Sequence, residues 1–226
     1  MKPFLKWAGG KRWLFNSQFV EHLPNYKRYL EPFLGGAAGF FRLNPTSAVL
    51  SDVNPELINL YTQVRDHPLC IQAGMADLHG RHSAELFYEM RADIPTSPLD
   101  QAIRMLYLNR TCWNGLYRLN LSGKFNVPIG TKDQVVLDTD DFNQASARLK
   151  NASLLNADFE IVMNMAGEDD LVFVDPPYTV KHNMNGFVKY NESIFTWADQ
   201  VRLRDAAARA AKRGASFDRP PPSGPC

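Results

Sequence analysis

The stretch that most constrains this chain is Asp175-Pro176-Pro177-Tyr178, which closes the apolar run Leu171-Val172-Phe173-Val174. Four apolar residues ending in two prolines predict a buried strand that opens into a turn, because proline cannot donate to a sheet ladder. Open α/β sheets bind ligands at that carboxyl end. The groups on offer there are a carboxylate, main-chain carbonyls whose following nitrogens lack hydrogens, and one aromatic face. They suit a planar amine such as N6 of adenine. A carboxylate and a proline carbonyl accepting its two hydrogens would concentrate the nitrogen lone pair, while the tyrosine stacks on the base. A strand followed by a tight turn with a capping aspartate would use the same residues, so the rest of the chain has to decide.

Two glycine-bearing stretches precede it. Lys6-Trp7-Ala8-Gly9-Gly10-Lys11 suits a loop whose backbone approaches an anionic or zwitterionic ligand, with Lys11 available for a carboxylate; it is not a Walker loop. Arg28-Tyr29-Leu30-Glu31-Pro32-Phe33-Leu34-Gly35-Gly36 runs from a short strand into glycines and then an apolar helix, the nucleotide-binding turn of a doubly wound sheet. The spacing departs from G-x-G-x-x-G, which favours an adenosyl ligand over a dinucleotide. Ala48 to Val53 predicts a second strand whose terminal acid, Asp52, is placed to hold ribose hydroxyls. Asn54-Pro55 predicts the cap and first turn of a helix over Glu56 to about Arg65.

Residues 69 to about 112 predict helices, more chain than a simple crossover needs, and hence an insertion that forms a second domain. Its far end, Leu108 to Gly130, is rich in arginine, asparagine and aromatic residues, with Ser122-Gly123 predicting a hairpin turn. Net charge is only +1, so contact with nucleic acid must come from local patches. Residues 101–132 carry Arg104, Arg110, Arg118, Lys124 and Lys132 and no acid. Arg110, Arg118, Asn114, Asn126 and Leu116 are residue types that read base edges in a groove. A polar hairpin packed on its own domain is the alternative.

The sheet resumes with a third strand at Ala152 to Asn156, followed by Asp158-Phe159. Asp158 is suited either to accept from an adenine amino group, with Phe159 beside the ring, or to cap the next helix. After the fourth strand, Thr196 with Asp199 predicts a capping box and a helix to Gly214. A fifth, β-branched strand is then due. Instead the chain ends in a segment with four prolines in its last seven residues, so residues 214–226 are expected to be a disordered tail and the fourth strand an exposed apolar edge. Cys70, Cys112 and Cys226 have no C-x-x-C spacing, so neither a disulfide framework nor a zinc site is expected. No apolar run reaches membrane-spanning length and no cleavable leader is visible, so the expected address is the cytoplasm.

With these stretches in order, residues 4 to about 213 resemble the Dam-like DNA adenine N6-methyltransferases. The motifs that carry the resemblance are F-L-K-W-A-G-G-K, E-P-F-x-G-G, S-D-x-N, N-R-T-C-W-N-G-L-Y-R with F-N-V-P, and D-P-P-Y, in the alpha order of amino-methyltransferases. The resemblance implies a doubly wound, Rossmann-like α/β sheet, its last strands missing here, with residues 1–66 and 135–213 forming a discontinuous catalytic domain. Residues 67–134 would be a helical and β-hairpin target-recognition insert. It further implies S-adenosylmethionine as methyl donor, no metal, direct in-line transfer, double-stranded DNA as partner, and monomeric action. Trp7 and Lys11 would lie at the cofactor's methionine end, Phe33, Gly35 and Gly36 beneath it, Asp52 on its ribose, and Asp158 with Phe159 near its adenine. Asp175, Pro176, Pro177 and Tyr178 would hold the target base, with Asp175 also bordering the cofactor. Lys6, Trp113, Asn114, Leu116, Arg118 and Pro128 match readers of a G-A-T-C site.

Two positions depart from the family pattern. Trp113 stands where tyrosine is frequent, and Ala37 where a third glycine is frequent. The expected activity is therefore adenine N6-methylation of a short duplex site. An inactive DNA-binding remnant, or a methyltransferase for RNA or a protein amide, are the alternatives.

Overall fold

The computed structural model describes residues 1–11, 13–15, 17–120, 122–177 and 195–218. Tyr178, the loop after it, Leu121 and the proline-rich end, including Cys226, lie outside the described residues. The elements follow as α1 (Ser17–Glu21), β1 (Arg28–Glu31), α2 (Ala38–Leu43), β2 (Ala48–Asp52), α3 (Pro55–Asp66), α4 (Pro68–Gly80), α5 (Ala84–Ala92) and α6 (Pro98–Thr111). Then come α7 (Phe142–Leu149), β3 (Ala152–Asn156), α8 (Phe159–Met165), β4 (Asp170–Phe173), α9 (Trp197–Lys212) and β5 (Ser216–Asp218). The strands form one parallel sheet in the order β3-β2-β1-β4-β5. The chain leaves β1 toward β2 and β3, then returns to β4 on the other side. Between β1 and β4 the winding reverses, which is where such sheets open a ligand crevice.

Alternation along the strands explains the two helical layers. Tyr29, Ala48, Leu50, Leu171 and Phe173 enter one buried cluster with Phe40 and Phe41 of α2 and the apolar faces of α3, α6 and α7. Leu30, Val49 and Val172 enter the opposite cluster with Phe159, Val162 and Met163 of α8 and Leu203, Ala206 and Ala210 of α9. Period-two side chains feed both faces, as a doubly wound sheet requires. Local chemistry fixes the helix starts. Asn54 Oδ1 accepts from the backbone N–H groups of Glu56 and Leu57 ahead of Pro55, and Thr196 and Asp199 close a reciprocal capping box.

One expectation is revised. A fifth strand exists: Ser216, Phe217 and Asp218 pair in parallel with Leu171, Val172 and Phe173, so β4 is not the sheet edge. Gly214, at φ +94°, turns the chain out of α9, and Phe217 packs against the α8/α9 cluster. Disorder expected from residue 214 onward therefore does not hold for residues 214–218. The stretch 67–134 lacks a core of its own among the described residues. Ile71, Met75, Phe87, Leu106 and Tyr107 join the same cluster as Phe4, Phe41 and Tyr61. Its helices α4 and α6 pack against α3, and α4 also against α7.

The hairpin is looser than the alternation predicts. It is a ribbon with isolated antiparallel bridges at Cys112/Ile129 and Leu119/Phe125 rather than a continuous ladder. The Asn120 carboxamide oxygen accepts from the N–H groups of Ser122 and Lys124 and shapes its tip. No metal-binding group and no membrane-length apolar helix occurs among the described residues.

Candidate active site and recognition ribbon

The carboxyl ends of β1, β2 and β4 and the Trp7–Lys11 loop open onto one cleft of about 870 Å³, within the usual range for ligand sites. Trp7, Lys11, Phe33, Gly35, Gly36, Asp52, Asp158, Phe159, Asp175, Pro176 and Pro177 all line it. Residues spread over most of the chain are gathered because every strand of the sheet points the same way.

The geometry has three parts. At the reversal point Lys11 Nζ lies 2.7 and 3.0 Å from the Asp175 carboxylate oxygens and donates to the Gly9 carbonyl at 2.9 Å. Beside it, Gly35 at φ +46° lies so close to Trp7 that a Cβ would sit 2.8 Å from the indole Cδ1. A side chain there would displace the ring. Gly35 N–H donates to Asp52 Oδ2 at 3.1 Å and Asn54 N–H to Oδ1 at 3.0 Å, so Asp52 is held against the glycine turn. Burial raises its pKa, and these hydrogen bonds oppose the rise. Ala37 also adopts the left-handed conformation, φ +53°. That strain costs an alanine roughly 1–2 kcal/mol and explains why glycine suits this position.

At the third corner Phe159 stacks on Phe33, with centroids 5.4 Å apart, and the Arg202 guanidinium lies over the Phe159 ring. Asp158 Oδ1 accepts from Glu160 N–H at the start of α8 and from Arg202 at 2.8 Å. The capping role is therefore realised, and the carboxylate still borders the cleft.

Sequence reading passed over Glu31, although an acid closing an apolar strand immediately before a glycine turn is a visible signal. It is buried, lines the cleft, and accepts from Tyr29 O–H at 3.1 Å and Phe40 N–H at 3.3 Å. Desolvation outweighs these donors and lifts its pKa from 4.5 to about 8. Between those two pH values the unfolded chain releases a proton that the folded chain retains. Stability should therefore fall with rising pH, by at most about 1.4 kcal/mol per unit. Asp52, raised in the same direction, adds to the trend. Thermal melts across this range should slope downward for the parent, and Glu31→Gln should flatten the slope. An unchanged slope in the variant would refute the buried neutral acid.

The ribbon gathers most of the residues expected at DNA. Trp113–Gly115 is a single 3₁₀ turn in which Asn114 (φ 54°) and Gly115 (φ 64°) are both left-handed. Trp113 and Asn114 stand exposed at its tip. Lys6 is exposed beside them, and its stem is so close that a Cβ on Gly115 would meet Lys6 Cδ at 2.6 Å. Asn109, which sequence reading did not single out, makes this junction. Its carboxamide pairs with both backbone groups of Lys6 and also donates to Gly115 O. Arg118 Nε donates to Asn126 Oδ1 at 2.7 Å, and Leu116 and Pro128 lie on the same ribbon.

Arg110 does not belong with them. Its side chain is 4% exposed and forks onto Asp140 at 2.6 and 2.7 Å, with further bonds to the Val135 and Phe4 carbonyls. The position expected at DNA is an internal brace.

Comparison with known proteins agrees with this architecture. Residues 7–220 match the family described as D12 class N6 adenine-specific DNA methyltransferase. The chain is 35% identical to the type II methyltransferase M1.LlaDCHI of Lactococcus lactis subsp. cremoris, over 95% of this chain and 78% of that protein. It is 33% identical to the DNA adenine methylase of Serratia marcescens, over 91% and 77%, and 31% identical to that of Escherichia coli K12, over 94% and 77%. With the parallel sheet, the cleft at its reversal point and these matches together, the chain belongs to the D12 class of N6 adenine-specific DNA methyltransferases.

Proposed function

We propose that this protein transfers a methyl group from S-adenosylmethionine to N6 of adenine within a short duplex site, G-A-T-C. The observation that carries the reading is the meeting of Asp175 with the Gly35 turn and Asp52 in one cleft at the reversal point of the sheet. The cleft suits an adenosyl amino acid on its own chemistry. A Cβ at Gly35 would occupy the space where the backbone faces Trp7, Asp52 offers carboxylate oxygens, and Phe33 and Phe159 offer apolar ring faces. Trp7 and Lys11 would hold the amino-acid end, Asp52 the ribose, and Asp158 with Phe159 the adenine. When bound, the cofactor supplies an electrophilic methyl on a sulfonium. The protein's own part is then to position and polarise the acceptor. Asp175 and the Pro176 carbonyl accept the two amino hydrogens. Tyr178, which follows directly, would stack on the base after it leaves the duplex. Lys6, Trp113, Asn114, Leu116, Arg118, Asn126 and Pro128 would meet the duplex.

Labelled methyl transfer to duplexes carrying G-A-T-C or a scrambled site tests the reading. Label should enter only the G-A-T-C duplex and be recovered as N6-methyladenine. Equal labelling of both duplexes would refute the site preference, and absence of label from both would refute the activity.

A further inference from the structure

Tyr117 belongs to the ribbon by sequence, one residue before Arg118, yet it lines the cofactor cleft. Its ring stacks on the Trp7 indole, with centroids 5.4 Å apart and planes 25° from parallel, and its other neighbour is Phe125 on the returning arm of the ribbon, at 6.0 Å. Trp7 in turn covers Gly35. A continuous row of contacts, Gly35, Trp7, Tyr117, Phe125, thus runs from the glycine turn into both arms of the ribbon. Leu119, two residues further along, also reaches the cleft.

The Tyr117 hydroxyl is buried with no hydrogen-bond partner in the described structure. The nearest polar side chains are those of Glu56 and Asn54, which also line the cleft, and the Asn54 oxygen is already used to cap α3. Burial first, and the Glu56 carboxylate second, keep the phenol protonated, so it remains a donor. A buried, unsatisfied donor at a ligand cleft is costly unless a ligand completes it.

We propose that Tyr117 is a bifunctional positioning residue. Its hydroxyl donates to the bound cofactor, and its ring, through Trp7, makes cofactor affinity depend on how the recognition ribbon is engaged by DNA. The inference rests on the cofactor reading above. The row is shared between cleft and ribbon, so a duplex that fixes the ribbon fixes Tyr117 and Trp7, and by reciprocity a bound cofactor fixes the ribbon. No backbone carbonyl or charged group is needed to relay the effect. Aromatic stacking supplies a contact that is lost if either ring is removed.

Calorimetric titration of the intact chain with S-adenosylhomocysteine, alone and with saturating sheared genomic DNA, which contains every short site, provides the test. In the parent, DNA should tighten the cofactor product by about fivefold or more. In Tyr117→Ala that ratio should fall to near one. Tyr117→Phe should keep the ratio while weakening binding in both conditions, by roughly fivefold for one lost hydrogen bond. Tyr117→Leu keeps apolar bulk without the stacked ring and serves as the readout should the alanine variant fail to fold. A parent ratio of one, or an unchanged ratio in the alanine or leucine variant, would overturn the coupling. A Tyr117→Phe protein that binds as tightly as the parent would overturn the donor role. If the parent binds no S-adenosylhomocysteine at all, the cofactor reading itself fails and takes this one with it.

Discussion

Asp175→Ala should lower methyl transfer by roughly 10²–10⁴-fold, the span typical of a positioned acid–base or hydrogen-bonding group. Duplex affinity should stay within a factor of about two, because a carboxylate makes no attractive phosphate contact that its removal could forfeit. The expectation follows from the geometry. Asp175 lies just beyond the buried end of β4, and its side chain is about a quarter exposed, so it can meet a base that enters from solvent. Its carboxylate carries the Lys11 ammonium, 164 residues away in sequence, at hydrogen-bond distance. A cation thus stands where the substrate amine is proposed to donate. Removing the carboxylate takes away one of the two proposed acceptors for the amine hydrogens and leaves only the Pro176 carbonyl for them. Single-turnover assays with saturating duplex and cofactor separate this loss from binding. Transfer within a few-fold of the parent would refute the role of Asp175.

The features legible in the sequence were those whose signal is local. Strands ending in an acid or in two prolines, the Asn54-Pro55 cap and the Thr196/Asp199 box all depend on neighbours within a few residues, and each occurs where expected. Cleft residues were equally readable, because the carboxyl ends of parallel strands share one edge. What escaped reading depends on distant partners. β5 is only three residues long, too short to show periodicity, and is held by Phe217 against the α8/α9 cluster. Asn109 looks like one more polar residue on a basic ribbon until Lys6, 103 positions earlier, is seen against its carboxamide. Tyr117 sits among residues expected at DNA, and only the fold turns its ring toward Trp7. Formal charge was the least reliable guide, since it says nothing about whether a cation faces solvent or a buried acid.

Arg110 makes that last point quantitative. As a DNA contact, Arg110→Ala would leave the melting temperature alone and lower duplex affinity, with the salt slope falling by about one. The structure predicts the opposite. The guanidinium ties Phe4 near the N-terminus, Val135 and Asp140 to the buried end of α6, and Asp140 Oδ2 also accepts from Leu137 N–H. Alanine would strand a buried carboxylate and two carbonyls. Breaking such a pair from one side costs about 3–5 kcal/mol, a large part of the roughly 5–15 kcal/mol available to a domain. Urea unfolding should therefore show a much lower midpoint, and transfer should be lost through unfolding rather than through affinity. Arg110→Lys should rescue little, because one ammonium cannot reproduce the fork that reaches Asp140, Val135 and Phe4 together. The double variant Arg110→Met/Asp140→Leu removes the stranded charge along with its partner and should recover much of the loss, short of the parent because the Val135 and Phe4 carbonyls remain without donors. An Arg110→Ala protein with the parent's unfolding midpoint and a reduced salt slope would restore Arg110 to the DNA surface and refute the brace.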